Sequence, residues 1–94
     1  MMKKDTLERV INHLRNEGAT RIILFGSYAR GEEMPGSDLD IIVEFEEIRS
    51  LLDMVRIERE LSEEIGIKVD LLTERSISPY IIESVKKEGE VIFG

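Results

Sequence analysis

The sequence predicts an α/β (α+β) domain in which helices pack on a small mixed β-sheet. Short apolar runs, which indicate buried strands, alternate with longer segments whose apolar residues recur at helical spacing. Turn and cap residues separate these segments. With 94 residues, 41% of them apolar, the chain can bury one modest core. We therefore expect one domain over 1–94, ordered αβαβαβα and followed by a last short strand.

The first helix and first strand are predicted from apolar spacing. Apolar residues at helical intervals over 7–14 indicate a helix that Asp5 and Glu8 would open as a capping box. Gly18 suits the position just after the end of this helix. The apolar run Arg21–Phe25 is too short for a helix and predicts a buried strand.

Next come a break, a loop and a second strand. Gly26 and Ser27 end the first strand, and residues 27–30 can form one or two helical turns. Residues 32–37 contain Pro-Gly and predict a loop. The run 39–45 predicts a strand whose residues at 39, 41 and 43 face a helix.

A long helix follows, over 51–65. Ser50 and Asp53 have the spacing of a capping box at its start, and Gly66 ends it. Glu58 interrupts its apolar stripe.

The last third of the chain predicts a strand, a helix and a strand. The run Lys68–Leu72 is the strand, and Ser78 and Pro79 are N-cap and first residue of a helix that stops near Gly89. Residues 90–93 predict the short final strand.

Composition and charge exclude several classes of function. The chain has no cysteine, so it can form neither a disulfide nor a thiolate metal site, and His13 is expected to be an ordinary surface residue. A net charge of −7 argues against direct nucleic-acid binding. Without a membrane-length apolar run or a signal peptide, we expect a cytoplasmic protein and no membrane partner. The absence of Gln, with only two Asn, suggests a thermophilic source.

Three aspartates are candidates for a metal site. Asp38 and Asp40 are two residues apart at the start of a strand, so they share a face with Cα atoms about 6.6 Å apart. Carboxylates at this spacing can bind one or two hard divalent cations. Asp70, inside the apolar run "VDLL", would complete a triad if its strand lies beside the first. The alternative is that Asp38 caps a turn while Asp40 and Asp70 are solvated edge residues.

The segment "GSYAR" is a candidate phosphate site. Gly26 and Ser27 end a strand and open a helical turn, where backbone N–H groups and the helix dipole favour an anion. The alternative is a plain turn. Arg30 suits either a phosphate oxygen or a salt bridge to a nearby acid such as Glu32. Tyr28 and Tyr80 are candidates for self-modification, although packing or rim positions are the commoner use of such residues.

Together these residues match a family signature. The pattern G-S-x10-D-x-D, with "GS" at 26–27 and "DLD" at 38–40, resembles that of the DNA polymerase β-like nucleotidyltransferase superfamily. The length and the form "GSYARG" resemble its minimal nucleotidyltransferase branch, the MntA-type antitoxins that pair with HEPN-domain toxins. The resemblance covers nearly the whole chain and implies a nucleotidyltransferase fold for 1–94.

The resemblance also implies an activity and a set of site residues. Asp38 and Asp40 would bind two Mg²⁺ ions, and Asp70 would share one of them and help activate the attacking hydroxyl. Gly26 and Ser27 would hold the phosphates of ATP. The reaction would transfer AMP to a tyrosine of the partner toxin and release pyrophosphate.

Other functions stay open at this point. A binding module that neutralises its partner with little or no catalysis is the main alternative. Transfer of a nucleotide to an antibiotic or sugar ranks last, because nothing in the sequence predicts a pocket for such a substrate. The short chain also predicts an open site that a partner, a second copy or the acceptor would close, so a homodimer is considered too.

Overall fold

Helices and strands alternate along the chain as predicted. A computed structural model describes residues 2–94, apart from the side chain of Lys86. The elements within this range are α1 (Lys4–Asn16), β1 (Ala19–Phe25), α2 (Gly26–Arg30), β2 (Leu39–Phe45), α3 (Leu51–Ile65), β3 (Val69–Thr73), a 3₁₀ turn (Glu74–Ser76), α4 (Pro79–Glu88) and β4 (Glu90–Phe93). The predicted order is confirmed, with the 3₁₀ turn as an unpredicted addition.

The four strands described form one mixed sheet in the order β3-β2-β1-β4. Strand β1 pairs antiparallel with β2 and β4, whereas β2 and β3 are parallel. A parallel pair needs a long crossover, and α3 provides it. The mixed sheet of the predicted fold class is confirmed.

The two faces of the sheet pack against different helices. Alternate residues of β2 point to opposite faces. Leu39, Ile41 and Val43 are buried in the larger core with α1 and α3, as predicted. Ile42 packs on the other face with Ile23 and with Val85 of α4. Asp40 shares this second face with Ile42, which directs the charged start of β2 toward the α4 side of the sheet.

Side-chain oxygens accept hydrogen bonds from backbone N–H groups of the edge strand β3. Three of its alternate N–H groups donate to side-chain oxygens: Leu71 to Glu58 Oε2 at 2.9 Å, Val69 to Ser62 Oγ at 3.0 Å and Thr73 to Ser76 Oγ at 3.3 Å. A charged residue therefore interrupts the apolar stripe of α3 at Glu58 because its carboxylate has a structural role. Its carboxylate satisfies a backbone donor on an edge that could otherwise pair with another strand.

The predicted capping boxes form only in part. The predicted capping box of α1 is wrong. Lys3 is the N-cap and makes no side-chain capping bond. Asp5 lies inside the first turn and pairs with Arg9 at 3.2 Å. In α3, Ser50 Oγ accepts from the Asp53 N–H at 3.1 Å, so half of that box is confirmed.

The remaining boundary predictions are close. The Ser78 cap and Pro79 start of α4 are confirmed, and both Gly18 and Gly66 have positive φ just past a helix. Strand β1 begins two residues earlier than predicted, and β3 is shifted by one residue.

An ion-pair network joins α1 and α3. Arg56 donates to Glu17 Oε2 and to Glu60 Oε1, each at 3.0 Å. His13, expected at the surface, is partly buried there: its side chain is 15% exposed and its Nδ1 lies 2.7 Å from Glu64 Oε1. Carboxylate oxygens of Glu17 and Glu60 lie close enough to His13 for a metal site, but Arg56 already compensates both charges.

The Glu17 bond makes stability depend on pH. The Arg56 hydrogen bond, against a smaller cost of burial, lowers the pKa of Glu17 below its ordinary value. A lowered carboxyl pKa stabilises the fold above the unfolded pKa, and this is lost as pH falls through the folded value. Glu17→Gln should lower the free energy of unfolding by about 1 kcal/mol at pH 7. At pH 3 the difference should largely vanish.

Urea unfolding at both pH values measures this difference. The exposed Glu63→Gln on α3 is the control, because it removes the same charge without an ion pair. A loss of stability that is equal at pH 7 and pH 3 would contradict the assignment.

A second prediction concerns the edge strand. Glu58→Ala should lower the free energy of unfolding by about 1–3 kcal/mol, because it leaves the half-buried Leu71 N–H without an acceptor. Glu58→Gln keeps an oxygen acceptor and should recover most of the loss. Chemical unfolding measures both, and equal losses in the two variants would show that the hydrogen bond is not the cause.

Candidate active site

Asp40 lies at the centre of the candidate site. On one side of β2 it is the register partner of Phe25, the last residue of β1, and on the other side it is the register partner of Asp70 in β3. Gly26 follows Phe25 directly. The order β3-β2-β1 thus brings Asp70 and the start of α2 to opposite sides of one carboxylate, although they are far apart in sequence.

The three aspartates form one electrostatic cluster. Burial raises the pKa of Asp40 above its ordinary value, and repulsion from Asp70 and Asp38, with a hydrogen bond from protonated Asp40 to Asp70, raises it further. The Arg30 guanidinium opposes this rise. Carboxylates gathered in this way are costly when charged, and a bound cation relieves the repulsion. The structure therefore places Asp38, Asp40 and Asp70 close enough to repel one another, although their carboxylate oxygens do not all lie within 4.8 Å of one another.

Gly26 is required by its contact with Asp40. Its φ is +74°, which residues with a side chain rarely adopt, and a Cβ at this position would lie 2.2 Å from Asp40 Oδ2. No side chain caps the start of α2. The first-turn N–H groups are thus available as donors next to the carboxylate cluster, with Ser27 in the same turn.

Arg30 is at the other end of α2 and pairs with two acids. Its Nε lies 3.3 Å from Glu32 Oε1 and its Nη1 lies 3.6 Å from Glu88 Oε2. Its charge also acts on Asp40. The salt-bridge alternative therefore describes Arg30 in this structure.

Sequence reasoning did not include Lys68 in the site. Its Nζ lies 3.8 Å from Asp38 Oδ2, and its side chain is 75% exposed. A signal was present, because Lys68 precedes Asp70 by two residues and alternate strand residues share a face. The two tyrosines differ: Tyr28 packs against the core, and Tyr80 is exposed in the first turn of α4.

Sequence comparisons identify the family. A profile of the nucleotidyltransferase domain matches residues 7–92. A protein of Methanocaldococcus jannaschii named as a protein adenylyltransferase is 46% identical over 81 residues, which are 86% of this chain and 87% of that protein. The protein adenylyltransferase MntA of Thermococcus cleftensis is 37% identical over 93 residues and is matched over 94% of both chains. The composition expected of a thermophile fits these archaeal relatives.

Solved structures share the fold. A chain of a toxin–antitoxin crystal structure with AMP-PNP has a TM-score of 0.87 at 28% identity, over 94% of this chain and 73% of that chain. A chain from a complex of the tri-AMPylated Shewanella oneidensis HEPN toxin with MNT antitoxin has a TM-score of 0.81 at 25% identity, over 99% of this chain and 73% of that chain.

Two further observations complete the description. None of the described helices has the length and apolar character to cross a membrane. The family profile covers all six residues of the expected site, from Gly26 to Asp70. This chain therefore belongs to the nucleotidyltransferase domain family, as its signature predicts, and is a minimal nucleotidyltransferase of the protein adenylyltransferase type.

Proposed function

We propose that this enzyme transfers AMP from ATP to a tyrosine hydroxyl of a HEPN-type toxin, with Mg²⁺, and so acts as an antitoxin. The observation that carries the proposal is the position of Asp40 between the Gly26 turn and Asp70. The structural relatives with AMP-PNP and with a tri-AMPylated HEPN toxin support the donor and the partner.

The donor set of the site fits magnesium. The pKa of Asp40 is raised even with Arg30 and Lys68 nearby, so these cations compensate the three carboxylates only in part, and Mg²⁺ prefers a few carboxylates together with phosphate oxygens. Asp38, Asp40 and Asp70 would hold two such ions. When bound, the ions would compensate negative charge on the attacking and leaving oxygens.

The residues of the chain position the two substrates. Gly26 leaves room for a phosphate against the backbone beside Asp40, and Ser27 adds a hydroxyl donor. Arg30 would exchange its exposed contacts with Glu32 and Glu88 for a phosphate oxygen. The catalytic contribution of the protein is then mainly orientation and charge compensation.

The reaction forms one bond and breaks one. The tyrosine oxygen bonds to the α-phosphorus of ATP, the bond from that phosphorus to the bridging oxygen breaks, and pyrophosphate leaves. Asp70 would accept the hydroxyl proton. It is well placed for this because it is exposed and adjoins Asp40 across the parallel pair.

AMP transfer is the direct test. Incubated with ATP, Mg²⁺ and its toxin, the wild-type chain should increase the toxin's mass by one or more AMP units. Asp40→Asn should lower the rate by about 100-fold or more, because it removes the central carboxylate of the cluster. The exposed Asp5→Asn in α1 is the matched control and should transfer at the wild-type rate.

The same variants separate catalysis from binding. If Asp40→Asn loses transfer and also ceases to protect against the toxin, the antitoxin acts by modification. A variant that fails to transfer AMP yet protects fully would instead favour the binding module, and wild-type protein that leaves the toxin unmodified would contradict the proposal.

Metal binding should also appear in stability. A carboxyl with a raised pKa costs the fold stability once pH exceeds its ordinary value, so without metal Asp40→Asn should melt higher than wild type at pH 7. Mg²⁺ should raise the wild-type melting temperature, by about 4–8 °C for each kcal/mol of stabilisation. Differential scanning calorimetry with and without Mg²⁺ measures both effects. Equal Mg²⁺ responses of the two proteins would exclude Asp40 as a ligand.

A further inference from the structure

The carboxylate cluster has two different sides. Gly26, at the start of α2, adjoins Asp40 on the β1 side, and Asp70 adjoins it on the β3 side. In phosphoryl transfer the attacking and leaving oxygens lie roughly in line. If the phosphates of ATP lie at the α2 turn, the attacking hydroxyl must approach from the opposite direction. That direction is the β3 side of the site.

Two exposed residues flank Asp70 on this side. Leu72 follows Asp70 by two residues in β3, so both share one face of the sheet. Lys68 immediately precedes β3, and its Nζ lies 3.8 Å from Asp38 Oδ2. Leu72 is 47% exposed, although its register partner Ile42 on β2 is only 2% exposed. Helix α4 therefore covers Ile42, through Val85, and leaves Leu72 open beside the candidate catalytic residues.

The edge of β3 limits how a protein substrate can bind there. Its N–H groups at Val69, Leu71 and Thr73 already donate to side chains. A substrate segment cannot add to this edge as a further strand through these groups, so its contacts must come from side chains on the face.

The distances and charges on this face suit an aromatic acceptor residue. The Cα atoms of Leu72 and Asp70 lie about 6.6 Å apart along the strand. This is roughly the distance from the Cα atom of a tyrosine to its hydroxyl oxygen. In a chain with a net charge of −7, the exposed ammonium of Lys68 is a cation beside a cluster that repels acidic groups.

We propose that Lys68 and Leu72 form the acceptor-binding side of the site and determine its specificity. Leu72 packs against the ring of the acceptor tyrosine while its hydroxyl reaches Asp70. Lys68 binds an acidic group of the segment that carries this tyrosine. The inference rests on the proposed function and adds to it the part of the acceptor that the chain selects.

Steady-state kinetics of AMP transfer to the HEPN toxin test the inference. Leu72→Ala should raise the KM for the toxin by about tenfold, as loss of apolar contact with one substrate residue does. Lys68→Gln should raise the same KM several-fold at low ionic strength and little at high salt, because exposed charge pairs are screened. In Leu72→Ala the KM for ATP and kcat should stay within about twofold of wild type.

Matched variants and a second measurement isolate the effect. Leu52→Ala and Arg59→Gln remove a more exposed leucine and an exposed cation from α3, on the opposite face of the sheet, and should behave as wild type. Mg²⁺–AMP-PNP binding by calorimetry should be unchanged in Leu72→Ala. The melting temperatures of Leu72→Ala and Lys68→Gln verify that both variants fold.

The outcomes distinguish this inference from the proposed function. A higher KM for the toxin alone supports it. An unchanged KM for the toxin in both variants overturns it while AMP transfer by the wild type stands. A higher KM for ATP in Leu72→Ala overturns it as well, by assigning that side chain to the nucleotide. Absence of transfer by the wild type rejects the proposed function, and the inference fails with it.

Discussion

The contact of the Asp40 carboxylate with the backbone of Gly26 is the constraint on which the site depends. A side chain at residue 26 would overlap that carboxylate, and the positive φ of Gly26 is one that glycine tolerates best. On the other side, repulsion by Asp70 raises the pKa of the same group. The fold thus holds an acid against the Gly26 turn and a second acid, at a cost that ligands of opposite charge can offset.

The rest of the fold keeps these groups in register. Strand β2 lies between β1 and β3. A register shift of one residue in either pairing would move Asp40 away from Gly26 or Asp70. It would also turn Ile41 out of the core. The buried alternation of β2 opposes such a slip. Helix α3 supports the same geometry, since it connects the parallel strands and its Glu58 holds the β3 edge.

Much of this organisation could be predicted from the sequence, because it depends on local patterns. Helical spacing, strand length and the Ser50 and Ser78 caps are local signals, and they give the element order. The motif at 26–40 contains its own spacing, so Asp38 and Asp40 are near one another in the sequence, although Asp38 precedes β2 and strand geometry applies only to Asp40.

Other features depend on contacts between distant segments and could not be derived in this way. Whether Asp70 lies beside Asp40 depends on a parallel pairing that no local pattern specifies. The half-buried position of His13 comes from its contact with α3, and the use of Glu58 comes from its contact with β3. Asp5 was misassigned because an aspartate near a helix start can either cap the helix or, from inside the first turn, pair with a basic residue four positions later. Here it pairs with Arg9.

Calorimetric titration with AMP-PNP measures nucleotide binding by the aspartates and the Gly26 turn without any acceptor. We expect saturable binding that requires Mg²⁺ and is lost or much weakened in Asp70→Asn. Binding of equal strength with and without Mg²⁺, or binding that Asp70→Asn leaves unchanged, would contradict this expectation.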